Sequence, residues 1–177
     1  MQPAIAINRM KDRHFNYIED LTRYERQNTW EVNIGGVPVG GNNPIRIQSM
    51  TDTDTKDTEA TVDQIVQLTK AGAAYVRLTV KGIYDAENMK NIKNELVARG
   101  FNTPLIGDIH FNPKLAEIAA KSISKVRINP GNFYDKRALF KNKVYSDDEY
   151  KQELIKIEEQ FIPFLEMLRK TDTALRI

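Results

Sequence analysis

The spacing of apolar residues switches repeatedly along this chain. Five short runs alternate apolar and polar side chains at every second position: IRIQSM (45–50), YVRLTV (75–80), LIGDIH (105–110), KVRIN (125–129) and ALRI (174–177). That period predicts strands with two chemically different faces. Between them the spacing lengthens to three and four residues, which predicts helices. In TEATVDQIVQLTKAG, Val62, Ile65, Val66 and Leu68 carry this spacing and Gly72 suits the stop. Met89, Ile92 and Leu96 line the next helix, which ends at Gly100. A third starts with Asn112 as cap and Pro113 in its first turn. Ser146 and Glu149 form a capping box for a long fourth helix, which Pro163 should kink or interrupt.

Strands alternating with helices predict a parallel sheet, either open and doubly wound or closed into a (βα)8 barrel. The alternation within the runs separates the two. One parity is polar: Arg46 and Gln48, Arg77 and Thr79, Asp108 and His110, Arg127 and Asn129, then Arg176. The other is apolar or glycine: Ile45 and Ile47, Val76 and Leu78, Leu105, Gly107 and Ile109, Val126 and Ile128. A sheet covered by helices on both faces would be apolar on both. A polar inner face suits an α/β fold of TIM type, whose strands aim functional side chains at the C-terminal mouth. With only five strands, the expectation is a partial (βα)8 TIM-type barrel belonging to a longer protein, with an unpaired edge open to self-association, a homodimer included. Upstream, TWEVNIGGVPVGGNNP predicts a hairpin turning at Gly35-Gly36 and plugging the barrel's base. Residues 1–28 form an extension, helical over Phe15–Gln27, and residues 29–177 form the barrel portion.

Composition narrows the function classes. The net charge of +2 gives no broad basic field for nucleic acid. Absence of cysteine excludes disulfides, zinc thiolate sites and all-cysteine iron–sulfur clusters within the 177 residues. No apolar run approaches the roughly 18 residues needed to span a bilayer. MQPAIAINRMKDRHFNY lacks the continuous apolar core of a secretory signal, so a cytoplasmic location is the default.

The inward polar set is where chemistry is expected. Arg46, Arg77, Arg127 and Arg176 face one inward carboxylate, Asp108, and such a surplus of guanidinium calls for a phosphate or diphosphate. Arg46 and Arg176 suit structural pairing equally well, whereas Arg77 and Arg127 favour the ligand. Asp108 and His110 can orient hydroxyls, shuttle a proton or ligate a metal, although two ligands do not make a metal site. In NPGN (129–132), Pro130 and Gly131 shape a turn and Asn129 and Asn132 offer amides. SMTDTDTKDTEA (49–60) offers hydroxyl and backbone donors to a phosphate, or simply caps a helix. FYDKRALFKNKVYS (133–146) suits a lid or a solvated connection; its interleaved basic and aromatic residues are poor support for single-stranded nucleic acid.

PIRIQSMTDTDTKDTEATVDQI, AGAAYVRLTV, GDIHF and KVRINPGN, in this order, resemble the N-terminal barrel of the 4-hydroxy-3-methylbut-2-en-1-yl diphosphate synthases, over roughly Thr29 to Ile177. KRALFKNKVYSDDEY resembles their longer, three-domain form. The resemblance implies reductive opening of 2-C-methyl-D-erythritol 2,4-cyclodiphosphate to (E)-4-hydroxy-3-methylbut-2-enyl diphosphate in isoprenoid precursor synthesis. Electrons would come from ferredoxin or flavodoxin through a [4Fe-4S] cluster. It matches Arg77 and Arg127 to diphosphate-binding arginines, and Gln48, Thr51, Asp108, His110, Asn129 and Asn132 to the polar mouth. It assigns no catalytic residue here. The family's cluster ligands, three Cys and one Glu, belong to a C-terminal domain, so this chain is expected to be inactive alone. The alternatives are a pterin-binding type of barrel synthase and a non-catalytic phosphate-binding module.

Overall fold

The computed structural model describes residues 22–23, 28–110, 112–133 and 145–177. Two layers of contact form around one parallel sheet. The hairpin comes first: β1 (Val32–Ile34) and β2 (Val37–Val39) pair antiparallel, turning at Gly35 and Gly36. Both glycines have positive φ, 57° and 88°, as a two-residue hairpin turn requires. Then β3 (Gln48–Met50), β4 (Tyr75–Val80), β5 (Leu105–Ile109), β6 (Lys125–Arg127) and β7 (Ala174–Arg176) form a five-stranded parallel sheet in sequence order. The helices α1 (Thr58–Lys70), α2 (Ile83–Ala98), α3 (Pro113–Ala120) and α4 (Asp147–Lys170) fill the four connections between successive strands.

Local chemistry sets these boundaries. The Asp57 side chain accepts from the Ala60 amide to start α1, Asn112 accepts from Lys114 to start α3, and Ser146 and Glu149 form the expected capping box of α4. Gly72 and Gly100 follow the ends of α1 and α2 with φ of 102° and 84°. Pro163 does not interrupt α4, which runs unbroken from Asp147 to Lys170. A proline inside a helix removes one hydrogen bond at a cost of about 3 kcal/mol. Here burial of the next residue, Phe164, and of Leu168 one turn later offsets that cost.

The parity of the strands separates two apolar clusters. Val76, Leu78, Val80, Leu105, Ile109, Val126 and Ile128 pack against the helices, with Val62, Ile65, Met89, Ile92, Leu115 and Phe164 among their partners. On the opposite face Tyr75 and Ile106 meet Ile34 of the hairpin, flanked by Val37, Val39 and Ala174. The Tyr75 hydroxyl donates to the Val37 carbonyl at 2.8 Å. The hairpin thus seats on the inner face of the sheet, among side chains low in its register.

Two strand expectations need correction. Ile45 and Ile47 do not meet helices: they are 82% and 65% exposed, and β3 begins only at Gln48. The cause is topological, because β3 is an edge strand whose only neighbour among the described residues is β4. The inner face is also not uniformly polar, since Tyr75 and Ile106 are needed there to bury the hairpin. The helix expected over Phe15–Gln27 and most of the 133–146 loop lie outside the described residues.

Candidate functional site

Strand register sorts the inner face into levels. Gln48 pairs with Tyr75 at the lowest level. Met50, Arg77, Ile106, Lys125 and Ala174 share the next. Thr79, Asp108, Arg127 and Arg176 share the one above, nearest the strands' C-terminal ends. His110 follows β5 and Asn129 follows β6.

Asp108 is the hub of this surface. Only 3% exposed, its carboxylate accepts from the Arg77 guanidinium through Oδ2 and from Arg127 Nη1 at 3.3 Å through Oδ1. His110 Nε2 lies 3.2 Å from the same Oδ2. Burial pushes the Asp108 carboxyl up, but the Arg77 hydrogen bond and charge, joined by His110, outweigh it and hold the group below its ordinary value of 3.8. Asp108 is therefore an anion at neutral pH, an acceptor and not an acid.

The stability consequence has a definite sign. A carboxylate depressed in the folded state stabilises the fold above its unfolded pKa, and that contribution disappears as pH falls through the depressed folded value. The wild-type chain is expected to lose stability progressively from about pH 4 downward. Asp108→Asn should show a shallower acid slope in denaturant titrations followed by circular dichroism.

The other expected residues divide. Arg77 stays linked to Asp108, while its Nε is buried without a hydrogen-bond partner among the described residues. Thr51 is buried, its amide bonded to the Arg77 carbonyl at 3.0 Å, and its Oγ1 likewise has no partner among the described residues. Thr51 also lines a cleft of about 550 Å³ with Thr53, Thr55, Lys56, Thr79 and Lys81. Asn129 is exposed, and its Oδ1 accepts from the Gly131 amide at 3.1 Å, so its carbonyl end holds the turn. Asn132 lies in the short 3-10 turn Pro130–Phe133, its side chain outside the described atoms. Gln48 is exposed and two levels below Asp108, so the structure does not bring it to the hub.

Arg46 and Arg176 resolve differently. Arg46 Nε donates to the Pro38 carbonyl at 3.1 Å, tying the hairpin to the chain entering β3. Arg176 is exposed on edge strand β7, beside Arg127 in register. The 49–60 loop turns its donors inward: the Asp52 and Thr53 amides both reach Gln64 Oε1, and Thr55 Oγ1 reaches the Thr79 carbonyl. It behaves as a capping segment. Sequence reasoning passed over Lys125, although the KVR triplet carries the signal, because Lys125 shares the parity of Arg127.

Fold and charge together define the class: a TIM-type barrel portion whose strand ends bring two arginines and a histidine onto one buried carboxylate. The chain belongs to the GcpE TIM-barrel family, whose domain model matches residues 29–177. It is 54% identical over 158 residues to the 4-hydroxy-3-methylbut-2-en-1-yl diphosphate synthase (flavodoxin) of Phocaeicola vulgatus, covering 89% of this chain and 26% of that protein. The synthase (flavodoxin) of Protochlamydia amoebophila is 48% identical over 161 residues, 91% of this chain and 25% of its own. The chloroplastic synthase (ferredoxin) of Oryza sativa subsp. japonica is 43% identical over 161 residues, 91% and 22% respectively. The chain thus spans about a quarter of the length of these relatives. No helix among the described residues is long and apolar enough to cross a membrane.

Proposed function

We propose that this chain is the substrate-binding barrel portion of an oxidoreductase that opens 2-C-methyl-D-erythritol 2,4-cyclodiphosphate to (E)-4-hydroxy-3-methylbut-2-enyl diphosphate. The observation that carries the reading is the charge balance at the hub: Arg77 and Arg127 share one carboxylate, Asp108. Two guanidiniums against one carboxylate leave positive charge that a diphosphate neutralises, with planar forks suited to its oxygens. The partnerless Arg77 Nε and Thr51 Oγ1 support it, since buried polar atoms of this kind ordinarily find an acceptor or donor.

The residues divide the work. Arg77 and Arg127 hold the diphosphate, and Thr51, Asn129 and Asn132 add neutral donors around it. Asp108, kept ionised, fixes both guanidiniums and accepts from a substrate hydroxyl. His110 stands beside it at the mouth. Net reduction takes up two electrons and two protons and releases one water. A [4Fe-4S] cluster charged by flavodoxin or ferredoxin would supply the electrons. The chain has no cysteine, so its own residues do not fit such a cluster.

Calorimetric titration of the 177-residue chain with the cyclodiphosphate should give saturable, salt-sensitive binding, and a pterin diphosphate should bind no better than pyrophosphate. After treatment with iron, sulfide and a reductant the chain should form no product. Preference for the pterin diphosphate, or failure of both ligands to bind, overturns the assignment.

A further inference from the structure

We propose that Lys125 is a third cation of the anion site, acting from the level of the barrel wall directly beneath Arg127. This rests on the anion-site reading above and adds a residue to it. Lys125 and Arg127 are two apart on β6 and share its inner face, Lys125 in register with Ile106 and Ala174, Arg127 with Asp108 and Arg176.

The groups facing that wall are the argument. Arg77 and Tyr75 come from β4, Asp108 from β5 and His110 from the residue after it, Arg127 from β6 and Arg176 from β7. Among the described residues, Asp108 is already engaged by Arg77 and Arg127, and Lys125 has no carboxylate within ion-pairing distance. The hairpin packs Ile34, Val37 and Val39 into one apolar cluster with Ile106 and Ala174, the register partners of Lys125. A half-buried ammonium placed between apolar residues and other cations is a net penalty unless an anion offsets it. Consistent with that, burial pushes the Lys125 amine below the ordinary lysine range, and Arg176 pushes it the same way. An anion seated against Arg127 turns the penalty into attraction, because the flexible lysine stem can raise its ammonium toward a second phosphoryl group.

The consequence is a pair of effects with opposite signs, which a merely structural residue would not give. Lys125→Met should bind pyrophosphate about tenfold more weakly than wild type. Its ligand-free melting temperature should equal or exceed that of wild type. Lys125→Arg should retain affinity within about threefold, since it keeps the charge. The measurement is calorimetry with pyrophosphate, paired with thermal unfolding in its absence, on wild type, both variants and Arg127→Met. Wild-type affinity in Lys125→Met alongside loss in Arg127→Met would exclude Lys125 from the site while leaving the site intact. Lower affinity together with a lower melting temperature would make Lys125 a folding residue and overturn the proposal. Absence of pyrophosphate binding by wild type would remove the anion site itself.

Discussion

Arg77→Met is expected to weaken pyrophosphate binding by at least about thirtyfold and to lower the melting temperature by roughly 6–12 °C. Both effects follow from its position between buried carboxylate and lumen. Its side chain is 22% exposed and bonded to Asp108, which keeps only 4% of its own side-chain surface in contact with water. Truncating one partner of a buried, hydrogen-bonded charge pair costs about 2–5 kcal/mol in binding, hence the thirtyfold floor. It also leaves Asp108 with Arg127 at 3.3 Å and His110 at 3.2 Å, neither a full replacement. Removing one member of a buried pair destabilises by about 3 kcal/mol, and each kcal/mol shifts melting by roughly 2–4 °C at this chain length.

Arg127→Met is the control. Its side chain is 41% exposed, so melting should move by no more than about 2 °C while binding still falls. Calorimetry and thermal unfolding of both variants separate the two roles. Near-wild-type affinity in Arg77→Met combined with lowered melting would assign this arginine to folding alone.

Phe164→Ala should produce the largest loss of stability, about 3–5 kcal/mol. The helix α4 carries Leu154, Ile155, Ile162 and Leu165 exposed to solvent, each at least 40% accessible. Its buried residues are only Phe164 and Leu168, with Phe161 and Met167 partly buried beside them. The Phe161 and Phe164 rings sit 6.0 Å apart, so truncating one also strips the other of an aromatic neighbour. Hydrogen exchange by mass spectrometry should quicken over 147–177 before it changes in α1, β4 or α2. Unaltered protection over 147–177 would show that the helix is held by something other than this ring.

Much of this architecture was legible because alternation in the central strands is undiluted. Every residue assigned to the helix-facing side of β4, β5 and β6 is there, and the capping residues of α3 and α4 start their helices as expected. The edge of the sheet was not legible. IRIQSM reads as a full strand, but pairing requires a neighbour, and only Gln48–Met50 has one. Nor does alternation reveal that an inner face must admit Tyr75 and Ile106 to receive a hairpin from 38 residues upstream, the separation between the Tyr75 hydroxyl and its acceptor. At the hub, residue types and parity brought Arg77, Arg127, Asp108 and His110 together correctly. The short-range bonds did not show: that Asn129 would spend its carbonyl on the adjacent turn, or that Gln64 would satisfy the 49–60 loop, depends on side-chain reach across several residues.

The ends of the sheet carry a last consequence. On one side lies β3, on the other β7, and they differ in sequence and in the residues they expose. Joining the β7 margin of one molecule to the β3 margin of another in parallel is a heterologous contact, which closes into a ring where the rotation allows, two molecules about an axis along the strands included, and otherwise runs on as an open fibre. Association through these margins therefore pairs unlike strands at every junction, and light scattering across a concentration series should separate a closed ring of fixed mass from a fibre that keeps growing.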